Sequence, residues 1–181
     1  MERVYLLTGR PGTGKTSLIK EVVAGMGDKA GGFYTEEIRT GGEREGFRLV
    51  TLDGEEVILA HTGIKSPYRV SRYGVDIAGL ERVGIPALAQ AAREQRLVVI
   101  DEIGKMELLS ERFREAVLKI MESPVKVLGT IMLSPYPWAD ELKRLPLVRL
   151  RELTRANRQE VRAELAQWLK DHQAPDEKAD R

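Results

Sequence analysis

The sequence predicts a three-layer α/β domain with a mostly parallel β-sheet and an inserted group of antiparallel strands. Short apolar runs alternate with segments of helical periodicity, which is typical of a parallel sheet covered by helices on both faces. Between residues 32 and 60 the strand-like runs are instead separated by tight-turn signals, which indicates antiparallel strands. The length of 181 residues fits a single domain with one core.

The chain opens with a strand, a loop and a helix. The strand covers Val4 to Thr8 and ends at a glycine-rich turn. The helix that follows has apolar residues at helical spacing, namely Leu18, Ile19, Val22 and Val23. The antiparallel strands come next, with turns at residues 40–42 and 53–54. Residues 61–83 contain four glycine or proline interruptions, so no regular structure is predicted for them.

The rest of the chain continues the alternation of helices and strands. The predicted elements are, in order, helix 87–95, strand 97–100, helix 111–121, strand 125–132, helix 139–144 and strand 147–150. Pro86 suits the first turn of the first of these helices. Thr154 is predicted to cap a last helix that buries Val161, Leu165, Trp168 and Leu169. Residues 1–170 form the predicted domain, and the polar residues 171–181 a predicted disordered tail.

Composition excludes several classes of protein. The 29 basic and 28 acidic residues give a net charge of +1, which favours neither nucleic acid nor an acidic membrane. The absence of cysteine excludes disulfides and thiolate metal sites, and His61 and His172 have no partners at ligand spacing. No apolar run is long enough for a membrane span, and no leader segment is evident. We therefore expect a soluble cytoplasmic protein, with a monomer as the simplest oligomeric state.

The first strand ends in a motif that fits G-x-x-x-x-G-K-[ST], the phosphate loop of nucleotide-binding proteins. Its residues are Gly9, Arg10, Pro11, Gly12, Thr13, Gly14, Lys15 and Thr16. The glycines let backbone N–H groups approach a phosphate at the positive end of the following helix. Lys15 can place a cation between the β- and γ-phosphates, and the Thr16 hydroxyl can ligate Mg²⁺. The motif predicts that the chain binds a nucleotide through its phosphates.

A second motif, from Val98 to Lys105, includes the end of the predicted strand at 97–100 and the residues after it. Asp101 stands where a carboxylate can hold Mg²⁺ through the metal's water shell. Glu102 comes directly after it and can orient or deprotonate a water that attacks the γ-phosphate. A kinase must instead seat an acceptor and exclude water, so the Asp101–Glu102 pair favours hydrolysis.

Other polar residues of this region have two interpretations each. Lys105 and Glu107 can approach the nucleotide or remain solvated, and Thr130 can sense the γ-phosphate or serve as an ordinary β-branched strand residue. A transition-state cation is also expected, because charge develops on the transferred phosphoryl group. The candidates are Arg39, Arg44, Arg48 and Arg158, and Arg158 can alternatively face the base or ribose.

Two alternatives to a hydrolase remain at this stage. A small nucleotide or nucleoside kinase would open with the same motif, although no arginine-rich lid is evident after the middle of the chain. A nucleotide-operated switch acting on a nucleic-acid or protein partner would also use the same loop. Product analysis distinguishes a kinase from a hydrolase, since a kinase phosphorylates an acceptor and does not release phosphate to water. Strong stimulation of hydrolysis by DNA, RNA or a protein partner would favour the switch.

Several segments together resemble the small stand-alone nucleoside-triphosphatase family of thermophilic microbes, which includes the cancer-related nucleoside-triphosphatase of vertebrates. The segments are the phosphate loop, residues 32–39, 46–52, 73–76, 99–108 and 128–131, and the pair Asn157-Arg158. The resemblance extends from about residue 3 to residue 168. It is weakest over residues 134–147, where two prolines and a tryptophan occupy a loop that does not follow the family pattern.

The resemblance implies a RecA-like P-loop domain that hydrolyses ATP, GTP, CTP, UTP and TTP with little base preference. It also implies a requirement for Mg²⁺ and a slower action on diphosphates. Nucleotide contacts carry over to residues 9–16 and to a second segment comprising Ile100, Asp101, Glu102, Ile103, Gly104, Lys105 and Met106. Within this set the resemblance makes Glu102 the catalytic base. The motifs themselves make Lys15 catalytic, Thr16 a direct ligand of Mg²⁺ and Asp101 a ligand through the metal's water shell.

Overall fold

One nine-stranded sheet organises the computed structural model, which describes residues 2–171. Its strands are β1 (Val4–Thr8), β2 (Ala30–Thr40), β3 (Glu43–Thr51), β4 (Glu56–His61), β5 (Arg69–Val70), β6 (Tyr73–Val75), β7 (Leu97–Ile103), β8 (Val127–Ile131) and β9 (Val148–Glu152). Across the sheet they lie in the order β5-β6-β4-β3-β2-β7-β8-β1-β9. The four pairs from β2 to β9 are parallel, and the four from β5 to β2 are antiparallel.

Strand β2 joins the two parts of the sheet. Its first residues, Ala30 to Phe33, pair in parallel with β7. Its remaining residues, from Phe33 to Thr40, pair in antiparallel with β3. We call β7, β8, β1 and β9 the parallel half, and residues 34–75 the wing. The second part of β2 continues past the point at which β7 stops pairing with it, so the wing begins at the carboxyl edge of the parallel half.

Helices cover both faces of the parallel half. The helices are α1 (Lys15–Val23), α2 (Ile77–Gly79), α3 (Ile85–Arg93), α4 (Glu111–Glu122), α5 (Pro137–Lys143) and α6 (Arg158–Lys170). Alternate residues of β1 separate the two layers: Tyr5 and Leu7 pack with α1 and α6, whereas Val4 and Leu6 pack with α3, α4 and α5. The predicted fold class, a three-layer α/β domain with parallel strands and an antiparallel insertion, is confirmed.

The segment without a predicted structure, residues 61–83, is regular over much of its length. It contributes β5 and β6 to the edge of the wing and then a helical segment that starts with α2. The Asp76 carboxylate caps α2 by accepting a hydrogen bond of 2.9 Å from the Gly79 amide. A π-helical turn, Leu80–Gly84, joins α2 to α3, which has Pro86 in its first turn as predicted. Glycines within this helical segment conceal it from sequence patterns.

Element boundaries differ from the sequence expectations where tertiary pairing extends an element. Strand β7 continues three residues past Ile100, because Ile103 pairs with Ile131 of β8 after a register shift. Asn157, not Thr154, holds the N-cap position of α6, and the Thr154 hydroxyl instead accepts a bond from the Asn157 amide in the turn before it. The predicted tail lies outside the described residues, apart from Asp171. None of the helices in residues 2–171 is long and apolar enough to cross a membrane.

Candidate active site

The two predicted motifs meet at the carboxyl edge of the parallel half. The phosphate loop joins β1 to α1, and the Asp101 segment closes β7, two strands away. Strand β8 lies between them and ends in Thr130 and Ile131. In an open parallel sheet this edge is where ligands bind, because loops and helix N-termini converge there.

Asp101 is the centre of the hydrogen-bonding network at this edge. Its two carboxylate oxygens accept one bond each, 2.6 Å from the Thr16 hydroxyl and 2.6 Å from the Thr130 hydroxyl. The residue is 2% exposed, and burial raises the pKa of its carboxyl group although both hydroxyl bonds favour the charged form. Thr130 is therefore a polar partner of Asp101, and its role goes beyond that of an ordinary strand residue.

The phosphate loop has the backbone that its glycines predict. Gly14 holds the N-cap position of α1 in the left-handed region, with φ of 86° and ψ of 30°. The Lys15 ammonium group donates to two carbonyl oxygens of the loop, Gly9 O at 2.8 Å and Arg10 O at 3.1 Å. These bonds fold the lysine side chain over the loop, where its charge faces the space that a phosphate would enter.

Glu102 and Glu107 bring two further carboxyl groups to the end of β7. A side chain at Gly104 would overlap Glu102 Oε1, so only glycine lets this carboxylate lie across the loop. Burial and the neighbouring Asp101 charge raise the pKa of Glu102, against the opposing effect of Lys15. Glu107 is 4% exposed, and burial together with the Glu102 charge raises its pKa well above the ordinary range.

The other members of the second predicted segment occupy different positions. Ile100 and Ile103 are fully buried in the core, so only their backbone groups are available to a ligand. Met106 packs partly against the same core, and Lys105 is exposed. The solvated alternative for Glu107 is wrong, because its side chain is buried.

The candidate cations are distributed between two regions. Arg39 and Arg44 belong to the wing, where both pair with Glu37. Arg158 lies at the start of α6 and contacts the phosphate loop itself through the Gly14 carbonyl, at 3.1 Å. This contact places Arg158 on the α1 side of the loop.

Two residues without a sequence-based role extend the site toward the wing. Lys20 of α1 forms an ion pair with Glu36 of β2, and its amino group lies 5.3 Å from the centre of the Tyr34 ring. Burial and the Asp101 charge raise the pKa of Tyr34 to about 12. Lys20 and Glu36 are 16 residues apart in sequence and lie in different elements, so only the folded packing of α1 against β2 indicates this pair.

A cleft of about 480 Å³ opens beside the phosphate loop. It is lined by Arg10, Pro11, Gly12, Thr13, Glu152, Leu153, Thr154 and Arg155. Two larger clefts contain no residue of either motif: one of about 880 Å³ lies between α1 and α6, and one of about 790 Å³ lies near the starts of β2, β7 and β8. Proximity to the phosphate loop, and not size, makes the smaller cleft the candidate for the rest of a nucleotide.

Together these features define a P-loop nucleotide-binding protein: a strand, a glycine-rich loop ending in Lys15 and Thr16, a helix, and an acidic pair on a nearby parallel strand. A family profile described as NTPase matches residues 4–166. The chain belongs to this NTPase family, as the resemblance in the sequence predicted.

Individual relatives agree with this assignment. The chain is 50% identical to nucleoside-triphosphatase THEP1 of Thermotoga petrophila, over 91% of this chain and 92% of that protein. It is 40% identical to the human cancer-related nucleoside-triphosphatase, over 87% of this chain and 92% of the human protein. The crystal structure of THEP1 from Aquifex aeolicus superimposes with a TM-score of 0.86 at 40% identity, covering 92% of this chain and 99% of that one.

Proposed function

We propose that this protein hydrolyses nucleoside 5′-triphosphates to the diphosphate and inorganic phosphate, in a reaction that depends on Mg²⁺. The observation that carries the proposal is the Asp101–Glu102 pair at the end of β7, with Asp101 bonded directly to Thr16 of the phosphate loop. The Thr16 and Asp101 oxygens are groups that can bind a metal ion, and the Glu102 carboxylate next to them lies beside the phosphate site. Membership of the NTPase family supports the same reaction.

The donor groups at Asp101 fit Mg²⁺, which prefers hard oxygen ligands. The Thr16 hydroxyl and the Asp101 carboxylate would hold the ion, Asp101 through the ion's water shell. The buried Asp101 charge is met by two neutral hydroxyls, so a cation there would offset its desolvation. When bound, Mg²⁺ would neutralise charge on the β- and γ-phosphate oxygens.

The protein's own residues supply the remaining chemistry. Lys15 and the N–H groups at the start of α1 bind the phosphates, and Lys15 stabilises the charge that develops on the leaving diphosphate. Glu102 orients the attacking water and takes its proton at a carboxylate oxygen. The raised pKa of Glu102 makes its carboxylate a stronger base than an ordinary surface glutamate.

Low selectivity for the base follows from the cleft beside the phosphate loop. Four of the polar side chains that line it are exposed, namely Arg10, Glu152, Thr154 and Arg155. Exposed, rotatable side chains do not hold a fixed pattern of donors and acceptors, so they discriminate weakly between bases. We therefore propose that ATP, GTP, CTP, UTP and TTP are all substrates, with slower action on diphosphates.

We further propose that the protein acts as a monomer in the cytoplasm, without a membrane or nucleic-acid partner. The near-neutral net charge of +1 supports the last point, since non-specific binding to nucleic acid needs a cationic surface. A sedimentation measurement tests the monomer. Phosphate release with and without added DNA or RNA tests the absence of a nucleic-acid partner.

Phosphate release from the five triphosphates tests the proposed reaction, with the parent compared to Glu102→Gln and Lys15→Ala. Glu102→Gln should bind nucleotide normally and lose about a hundredfold to ten-thousandfold in kcat, because the amide cannot accept the water proton. Lys15→Ala should lose turnover and also weaken triphosphate binding. Glu43→Gln, which changes a carboxylate on the wing, is the control and should keep parent kinetics.

Two results would overturn the proposal. Normal hydrolysis by Glu102→Gln would remove Glu102 from the chemistry. Transfer of the phosphoryl group to an added nucleoside or nucleotide, in place of release to water, would identify a kinase.

A further inference from the structure

Helix α6 touches the phosphate loop through its first residue, Arg158. The guanidinium donates through Nη1 to the Gly14 carbonyl oxygen at 3.1 Å and through Nη2 to Glu21 Oε2 at 3.2 Å. Glu21 lies on α1, so one side chain of α6 bonds both to the end of the loop and to the helix that follows it. The contact joins residues 144 positions apart in the sequence.

The Gly14 carbonyl accepts two hydrogen bonds, which use both of its lone-pair directions. The second donor is the Leu18 amide at 2.9 Å, the first hydrogen bond of α1. With both directions occupied, the peptide plane between Gly14 and Lys15 is held in one orientation. A carbonyl with only the helical bond would keep more freedom to rotate, because Gly14 is the most permissive residue type.

The orientation of this peptide fixes the direction of the Lys15 N–H group. The bond between Gly14 and Lys15 is trans, so its N–H points away from its C=O. This N–H is one of the amides at the start of α1 that have no partner within the helix, and such groups bind phosphate. Arg158 therefore bonds to the carbonyl side of the peptide between Gly14 and Lys15, and the N–H on its opposite side faces the phosphate site.

A second arginine of α6, Arg162, is a natural control for the contact between Arg158 and Gly14. Arg162, one turn later on α6, bonds through Nε to the other oxygen of the same carboxylate, Glu21 Oε1, at 2.8 Å. Among the described contacts, Arg162 has no bond to the phosphate loop. The two arginines share an anchor and a helix, and they differ in the bond to Gly14.

We propose that Arg158 is a positioning residue of the phosphate loop, holding the Gly14 carbonyl so that the Lys15 amide stays directed at a bound phosphate. This rests on the proposed function only in that the loop binds a triphosphate. The guanidinium is suited to the task because its planar fork reaches Gly14 and Glu21 at once, which a lysine ammonium on a flexible stem does less well.

The test uses three full-length variants: Arg158→Met, Arg158→Lys and the matched control Arg162→Met. The first readout is the amide resonance and hydrogen exchange of Lys15 by NMR in nucleotide-free protein. The second is the affinity for β,γ-imido-ATP, and the third is KM and kcat for ATP hydrolysis with Mg²⁺. The first two readouts do not depend on hydrolysis, so a parent without NTPase activity would refute the proposed function and leave this inference open to measurement.

Arg158→Met should shift the Lys15 amide and weaken β,γ-imido-ATP binding about tenfold, the size expected for one charge-assisted hydrogen bond. KM should rise in parallel while kcat changes less, because the loop binds substrate and transition state alike. Arg158→Lys should lie between Arg158→Met and the parent. Arg162→Met should lose a similar part of the thermal stability, through its own bond to Glu21, and bind like the parent.

Three results would overturn the inference. They are an unchanged Lys15 amide in Arg158→Met, parent-like affinity of that variant, and equal weakening by Arg162→Met. If Arg158→Met does not fold, Arg158→Lys decides the question, since it keeps the charge and loses the double contact. Parent-like amide and affinity in Arg158→Lys would then refute the positioning role.

Discussion

The parallel half and the wing belong to one sheet, yet the carboxylates at the edge of the parallel half and Glu37 of the wing have opposite shifts of their pKa. At the carboxyl edge of the parallel half, Asp101 and the nearby Glu107 are buried and bonded to hydroxyls or backbone amides, and burial raises the pKa of both. In the wing, burial alone would raise the pKa of Glu37. Hydrogen bonds from Arg39 and Arg44 instead bring it below the ordinary value. Glu37 of the wing is thus paired with arginines of the chain itself, whereas Asp101 and Glu107 have no ion pair among the described contacts.

This difference separates a binding site from a structural element. A buried carboxylate without a cationic side chain lowers the stability of the folded state, because its desolvation is not offset. A half-exposed ion pair changes stability little and presents no net charge to a ligand. The carboxyl edge of the parallel half therefore holds buried carboxylates whose charge a cation bound with the nucleotide can offset, whereas Glu37 of the wing is already paired.

The largest effect is expected for Asp101→Asn, which tests the charge of the parallel half directly. Asparagine keeps the size of the side chain and can still bond to the Thr16 and Thr130 hydroxyls. Turnover should fall by at least about a hundredfold, because a neutral amide holds Mg²⁺ poorly. The free energy of unfolding should stay equal or increase, since a buried charge is removed.

Kinetics and urea unfolding of the same preparation measure both quantities. Near-normal turnover combined with a large loss of stability would reverse the comparison, since it would make Asp101 a structural residue and not a functional one.

A smaller effect concerns the pH dependence of stability, through Glu107. A carboxyl group whose pKa is raised on folding contributes stability that is fully present below its ordinary value of 4.5 and is lost as the pH rises through the folded-state pKa. Glu107→Gln stays neutral at every pH. The variant should match the parent below pH 4.5 and become the more stable protein above it, by up to about 1.4 kcal/mol per pH unit for one proton.

Urea unfolding across this range measures the effect, and the agreement of the two proteins at low pH is the internal control. A parent that gains stability relative to Glu107→Gln as the pH rises would show that Glu107 is charged and well paired, as Glu37 of the wing is.

The sequence predicted those parts of the molecule that local chemistry determines. The β1, phosphate loop and α1 unit and the Asp101–Glu102 pair follow from short motifs, and the order of strands and helices follows from periodicity. Burial of a polar residue does not follow in this way, because polar side chains are exposed by default. Glu107 was therefore identified by spacing alone, with its buried state unknown.

Long-range contacts were equally inaccessible to sequence patterns. Arg158 was one of four candidate arginines, and its partner Gly14 is far away in sequence. The helical segment that begins at Ile77 was missed for a local reason. Its glycines suggest loops, whereas the fold tolerates them where a π-helical turn packs against the wing.

The smallest expected effect is that of Tyr73→Phe in the wing. The Tyr73 hydroxyl accepts hydrogen bonds from Arg44 Nε at 3.0 Å and Arg72 Nε at 3.3 Å, while its ring packs edge-on against Phe47. Phenylalanine keeps the ring packing and loses the hydroxyl, so the free energy of unfolding should fall slightly. Because Arg44 and Arg72 are already paired with Glu37 and Glu43 of the wing, kcat and KM should not change. Tyr68→Phe, at an exposed tyrosine nearby, is the matched control and should leave both stability and kinetics unaltered. A rise in KM for Tyr73→Phe alone would mean that the arginines of the wing reach the nucleotide, and the electrostatic division between the two parts of the sheet would then fail.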